Sequence, residues 1–346
     1  MTALTEQARL AAVLSKQPAD RPPVICPGGM MNAAIIDVIN KSDATLPAAH
    51  ADAALMANLA YHVHRLTGFE NFGLPFCMTV EAEVLGSEID LGSLECEPKI
   101  SKEKFASAAQ VEYRDIAALL TAGRIPVVCQ AVSLLSAQYP DIPVIGSLTG
   151  PVSTAASLVD PIRFFKDLRR DPAAAHRVFS YVTDLLIGFA HKLIDHGAAV
   201  IAIGDPTATG EILGPKMFAE YAVTYINKLI DAVHQKQVPV ILHICGNLNS
   251  VKALLPTIKA DAVSTDAIVS LKQLKDDFPQ LTTMGNVSTY LLEFGPSAKV
   301  AQQTGNLLNQ GIDIIAPACG LSTSSPLANI QAMTQTTKTA LSRERK

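Results

Sequence analysis

"VPVILHICGN", residues 238–247, is an aliphatic run that ends on His243 and Cys245 and then a glycine. Seven other runs share its form: "PPVICPGG" (22–29), "LPFCMTV" (74–80), "IPVIGSLTG" (142–150), "AAVIAIGDP" (198–206), "ADAVSTD" (260–266), "LTTMGN" (281–286) and "IDIIAPACG" (312–320). Each is short, rich in β-branched residues, and continuously apolar rather than alternating. That is the pattern of a parallel strand covered on both faces.

The segments between these runs read as helices. "DPAAAHRVFSYVTDLLIGFAHKLIDHG" opens with Asp171 as N-cap and Pro172 at the first helical position, and closes on Gly197. "MFAEYAVTYINKLIDAVHQK" places Phe218, Ala222, Ile226, Leu229, Ile230 and Val233 on one stripe. The last segment repeats the cap-then-proline start with Ser325 and Pro326. Eight strand–helix units in series predict an α/β chain folded as a (β/α)8 TIM barrel. A doubly wound open sheet competes, but no G-x-G-x-x-G or G-x-x-x-x-G-K-[ST] follows any strand. The additions to the barrel are an N-terminal helical extension over 1–20 and a helix-and-loop insertion over 85–140. No linker divides the chain, so 1–346 reads as one domain.

The chain is 49% hydrophobic and 17% charged, with a net charge of −4, so it can bury a large core. It has no dense basic run before the terminal "RERK", which argues against nucleic acid as a partner. No signal-peptide segment opens it, and no stretch approaches the roughly 20 apolar residues of a membrane span. A soluble, cytoplasmic protein is expected, and a homo-oligomer is compatible with it. Six cysteines are too sparse for a disulfide scaffold. Cys26, Cys77, Cys129 and Cys245 sit in apolar runs, where a thiol commonly serves as a small buried hydrophobe.

In a barrel the C-terminal strand ends form the active face. The runs bring Cys26, Glu81, Thr149, Asp205, His243, Cys245, Asp266, Asn286 and Cys319 to that face. His243 and Cys245 are two apart on an extended segment, so their side chains point the same way. Cys319 ends the last strand. Two readings stand: a zinc site of His243, Cys245 and Cys319, or a packed histidine beside two inert thiols. Three protein ligands would leave one tetrahedral position open, as in catalytic zinc. Two thiolates would cancel the charge of the dication, which suits the holding of an incoming thiol as a thiolate rather than the generation of hydroxide.

Several stretches resemble one family: "RPPVICPGGMMNAA", "TGFENFGLPFCMTVEAEVLGSEIDLG", "GSLTGPVSTAASL", "GDPTATGEILGPKMFAEY", "HICGN" and "PACGLSTSSPLANIQAM". They are similar to the methylcobamide:coenzyme M methyltransferases of the uroporphyrinogen decarboxylase superfamily, over about residues 20–340. The resemblance implies zinc on His243, Cys245 and Cys319. It also implies a small thiol acceptor such as coenzyme M, and a methyl-cobalt(III) cobamide delivered by a corrinoid protein. A pterin acceptor such as tetrahydrofolate is an alternative, as is the reverse direction with a methoxy or methylthio donor. A barrel that only binds a corrinoid protein is the non-enzymatic alternative. True decarboxylases carry an R-Q-A-G-R stretch where this chain has "PGGMMN", which disfavours a polycarboxylate porphyrinogen. No D-x-H-x-x-G appears, so the cobamide would arrive from outside the chain.

The other site assignments are less specific. Asp266 reads either as a fourth ligand or partner of His243, or as a helix cap. Asp205 reads as a group that orients the acceptor or guides a proton, or again as a cap. Of Glu81 and Glu83, one is expected to face the barrel and the other a neighbouring helix. The short, small, polar loops "CPGGMMN", "HICGNLNS" and "PACGLSTSSP" suggest an open rim for a flat corrin, with Gly29, Met30, Asn32, Asn286 and Ser322 meeting the cobamide.

Overall fold

The computed structural model describes residues 3–340; the "RERK" tail lies outside them. Five of the apolar runs, with a short strand just upstream of a sixth, form one parallel sheet. In chain order its strands are β1 (Phe72–Leu74), β4 (Val144–Thr149), β5 (Val200–Gly204), β6 (Val240–Ile244), β7 (Ala262–Thr265) and β8 (Thr283–Met284), and they pair in that same order. Every residue of β4 to β8 is buried, as continuous aliphatic sequence demands.

The ring is completed by two segments that pair through single bridges. Met284 pairs with Ile314 and Val287 with Pro317, while Ile315 pairs with Val24. Ile25 N donates to Ile315 O at 3.0 Å and Ile315 N to Pro23 O at 2.9 Å. On the other side, Glu70 N donates to Val24 O at 2.8 Å. The Asn71 amide then stands in for a ladder rung, accepting from Cys26 N and donating to Cys26 O, both at 2.9 Å. Just beyond, the two chains approach so closely that a Cβ on either Gly28 or Gly73 would lie 2.5 Å from the backbone of the other segment. Segments 23–26 and 314–317, added to the six strands, make the eight-stranded barrel.

Two boundaries differ from the sequence reading. The stretch 74–80 is not a strand: β1 lies upstream, and Pro75, which has no N–H for a ladder, ends it before the helix Val80–Leu85. Within 85–140 lies an antiparallel hairpin of β2 (Glu88–Asp90) and β3 (Lys99–Lys102), followed by the helix Ile125–Gln138. The helix Pro172–Asp195 is capped by Asp171, which accepts from Ala174 N at 3.0 Å. Ser325 does not cap the last helix, Leu327–Lys338. Its buried hydroxyl has no partner among the described residues, and Asp37 in the short helix Ile36–Ile39 accepts from Leu327 N at 2.9 Å instead.

The N-terminal helix, Glu6–Leu14, lies across the N-terminal ends of the strands. Leu10, Ala11 and Leu14 face Pro143, Ala199, Val200, Val238 and Pro239 around a cavity of about 490 Å³. The helix is anchored by charge. Arg9 Nη1 donates to Glu70 Oε1 at 2.8 Å, Arg21 Nη1 donates to Glu70 Oε2 at 2.8 Å, and Val24 N adds a bond to Oε2 at 3.0 Å. Glu70 is 1% exposed and Arg9 4%. No helix among the described residues is long and apolar enough to cross a membrane.

Removing one partner of a buried ion pair leaves the other charge uncompensated. Glu70→Ala is therefore expected to lower unfolding stability by about 3 kcal/mol, read from the urea midpoint. A change within about 0.5 kcal/mol would show that the arginines find other partners.

Candidate metal centre

His243 is the fourth residue of β6, and Cys245 lies one residue past its end. Strand alternation puts both side chains on the interior face. The segment carrying Cys319 joins the ring beside β8, so barrel closure brings it to the same spot from 74 residues away. His243 Nε2 lies 3.2 Å from Cys245 Sγ, and Cys245 Sγ lies 3.6 Å from Cys319 Sγ. One ring nitrogen and both sulfurs fall within 4.8 Å of one another, and no other group of three metal-ligating side chains does so among the described residues. Neither cysteine is in a disulfide.

The cluster is oriented from behind. Ser264 Oγ, on the neighbouring β7, meets His243 Nδ1 at 2.9 Å, which leaves Nε2 directed at the sulfurs. The two thiols share a proton. Cys245 donates to Cys319, which holds the Cys319 pKa down to about 5, and His243 assists. Cys245 is correspondingly raised, first by that bond and then by burial. A histidine nitrogen and two half-buried sulfurs converging with one shared proton form a donor set suited to a soft divalent ion. Cys26, fully buried, donates its thiol to Met31 O at 2.9 Å, and burial pushes its pKa up, so it stays a neutral filler. Cys77 lies elsewhere, against Arg124 Nη1 at 3.3 Å and Thr79.

The acidic residues fall into two groups. Asp266 is close to the sulfurs: its Oδ2 lies 3.4 Å from the N–H of Gly246, the residue after Cys245, and its charge raises the Cys245 pKa. Its Oδ1 also accepts from Ile268 N at 3.1 Å. Asp205 and Glu81 are fully committed to their surroundings. Asp205, 0% exposed, accepts from Val152 N, Ser153 N and Ser153 Oγ at 3.0, 2.8 and 2.6 Å. It thereby caps the helix Pro151–Leu158, on the unit preceding its own. Burial lifts its pKa to about 6 against those bonds. Glu81 accepts from Thr149 N at 2.8 Å and Thr149 Oγ1 at 3.2 Å, and burial raises its pKa as well. Glu83 faces outward to Arg124 Nε at 2.8 Å.

The rim positions are more constrained than their small side chains suggest. Gly29, with φ of +59°, packs against Ser147, where a Cβ would come within 2.7 Å of the Ser147 Cβ. Met30 lines the barrel interior beside Gly204. Asn286 donates to Asp266 O and Val269 O, both at 2.8 Å, and so braces the loop that carries Asp266. Ser322 donates to Glu293 Oε1 at 2.8 Å. On the same helix as Glu293, the exposed rings of Tyr290 and Phe294 pack 5.0 Å apart. Asn32 is buried and donates to Glu97 Oε1 at 3.2 Å. Glu97 was not singled out from the sequence. It sits in the loop between β2 and β3, and only the tertiary contact with Asn32 places it at the mouth.

Comparison with known proteins points the same way as the geometry. The uroporphyrinogen decarboxylase (URO-D) family model matches residues 5–340. The methylcobamide:CoM methyltransferase MtbA of Methanosarcina acetivorans is 32% identical over 340 residues, spanning 98% of this chain and 99% of that protein. The methylcobamide:CoM methyltransferase MtaA of Methanosarcina barkeri is 30% identical over 343 residues, spanning 96% and 97%. A solved methyltransferase from Methanosarcina mazei superposes with a TM-score of 0.90 at 31% identity, over 97% of this chain and 98% of that one.

The shared proton has a pH signature. The thiolate is the reactive form, so in metal-free protein alkylation of Cys319 should have its midpoint near pH 5 rather than near the ordinary thiol value of about 8.5. Cys245→Ala removes the donor and should move the midpoint upward. Mass spectrometry of the Cys319 peptide after timed alkylation measures both, and a midpoint near 8.5 in the unsubstituted protein would show that the proton is not shared.

Proposed function

The chain belongs to the uroporphyrinogen decarboxylase family as a methyltransferase of the methylcobamide:thiol type, and from that premise we propose that it methylates a small thiol at a zinc centre held by His243, Cys245 and Cys319. The observation that supports this most directly is the approach of one nitrogen and two unpaired sulfurs to within 4.8 Å at the mouth of the barrel. Bound there, zinc would supply a Lewis acid whose charge the two thiolates offset, strong enough to keep the acceptor's sulfur deprotonated and weak enough to leave it nucleophilic.

The chain's own residues set the stage for an in-line transfer. Ser264 fixes the ring of His243, and the Glu81–Thr149 and Asp205–Ser153 bonds lock the ends of β4 and β5 that wall the site. Glu81 and Asp205 thus act as positioning residues, while Asp266 stands near enough to the sulfurs to influence what binds beside them. The thiol gives up its proton to solvent. Its sulfur then forms a bond to the methyl carbon as the carbon–cobalt bond breaks, and both electrons of that bond stay on the cobamide as cobalt(I). The reaction needs sulfur, carbon and cobalt aligned within a few ångströms. The helix Glu6–Leu14 covers the opposite end of the barrel, so the methyl donor approaches over the C-terminal face. The exposed Tyr290 and Phe294 beside the loop after Cys319 favour delivery by a docked corrinoid protein.

The test is methyl transfer from methylcobalamin to a thiol, followed by the cobalt spectrum, alongside metal analysis. Cys245→Ala and Cys319→Ala should each lose most of the zinc and all transfer, because two protein ligands no longer frame a tetrahedral ion. Full zinc in Cys319→Ala would remove that residue from the site. Ser264→Ala should retain the fold but weaken zinc by about 10- to 100-fold in competition with a chromophoric chelator, since the partner that orients His243 is gone.

A further inference from the structure

Gly204, His243 and Ser264 are register partners on β5, β6 and β7, so their side-chain positions share the inner face of the barrel. Gly204 contributes no side chain there, and Met30 fills the space. A Cβ on Gly204 would lie 3.0 Å from the Met30 Cβ, 3.6 Å from its Sδ and 3.9 Å from its Cγ. On the other side of His243, Met31 Sδ lies 3.9 Å from Ser264 Oγ. The backbone of Met30 is held as well: its carbonyl oxygen lies 2.5 Å from where a Cβ on Gly320 would be, one residue after Cys319. Met30 therefore packs against both the strand partner of His243 and the chain neighbour of Cys319. The space that Met30, Met31, Ser147, Gly204 and His243 leave between them is about 10 Å³. That is the lower limit for one water and too little for a methyl group. Met31 is 2% exposed, whereas Met30 is only half-buried, so Met30 is the one an entering molecule can reach.

A thiolate that attacks a methyl group must turn a lone pair toward the donor. With the donor over the C-terminal face, the carbon that bears the acceptor's sulfur lies on the inner side, toward His243 and Met30. We propose that Met30 is a specificity-determining residue: its side chain walls the space beside that carbon, so the site takes thiols unbranched next to sulfur and rejects those that carry a branch there. A branched acceptor would have to push apart side chains that already touch, and overpacking of that kind is costly. This rests on the reading of the site as a thiol-methylating centre and adds the shape of the acceptor.

Two thiols with the same far end test it on the zinc-loaded protein with methylcobalamin as donor. One is 2-mercaptoethanesulfonate; the other is 2-mercaptopropane-1-sulfonate, which adds a single methyl to the carbon bearing the sulfur. Calorimetry gives the Kd of each thiol per bound zinc, independently of turnover, and steady-state kinetics give KM and kcat. The branched thiol is expected to bind about tenfold more weakly than the unbranched one, the discrimination that one methyl commonly brings in a packed site. In Met30→Ala the ratio of the two Kd values should fall close to one, whereas Met30→Leu, which keeps the bulk of the side chain, should preserve it. The change in Met30→Ala should appear in the KM for the branched thiol rather than in kcat. Comparing ratios between proteins cancels the different intrinsic acidities of the two thiols. Equal binding of both thiols by the unsubstituted protein, or a ratio unchanged by Met30→Ala, would overturn the assignment while leaving thiol methylation intact. Failure of both thiols either to bind or to consume methylcobalamin would overturn the thiol reading and the specificity with it.

Discussion

Cys245 and Cys319 lie 74 residues apart in sequence and 3.6 Å apart in space, and that meeting depends on closure of the barrel. The pairing of Ile315 with Val24, and of Met284 with Ile314, carries the segment before Cys319 into the ring. His243 then supplies the third donor because strand alternation turns it and Cys245 to one side, and Ser264 on the next strand holds the ring in place. Much of the remaining structure at this end can be understood as keeping those few atoms where they are.

Charge is handled in two ways. Glu70, Glu81 and Asp205 are buried and fully engaged, with arginines in the first case and with backbone N–H and hydroxyl groups in the others. These groups fix distances between strands and helices. Asp266 and Glu97, at the mouth of the barrel, are bonded more sparsely. A buried carboxylate without a partner would be too costly to keep, which is why the interior acids are tied down and the rim acids are not.

The sequence made the barrel legible through repetition: continuous aliphatic runs alternating with helix signals repeat too regularly for an open sheet without nucleotide motifs. The meeting of His243, Cys245 and Cys319 was legible because strand ends converge, so position along each run told which side chains share the mouth. Other features depended on contacts that no local pattern records. Pro75 cut short the run at 74–80, which otherwise has the composition of a strand. Asp37 capped the final helix in place of Ser325 across nearly the whole chain. Asp205 read either as a group for the acceptor or as a cap, and only the fold shows that the helix it caps belongs to the preceding unit. Glu97 stood in a hairpin loop of unremarkable composition, and only the side chain of Asn32 draws it to the site.

The closeness of the two sulfurs has a consequence for how the protein ages. A metal bound by the proposed trio would occupy both as ligands. Without it, a thiolate and a thiol 3.6 Å apart form a dithiol primed for oxidation by air or peroxide, and an internal cross-link would tie the end of β6 to the last barrel segment. Such a bond would do little harm to the fold, since the two segments already sit together, but it would remove two donors at once. A metal held there would double as a protecting group, and the working lifetime of the protein in oxygen would then follow how slowly the ion leaves rather than how firmly the barrel is folded.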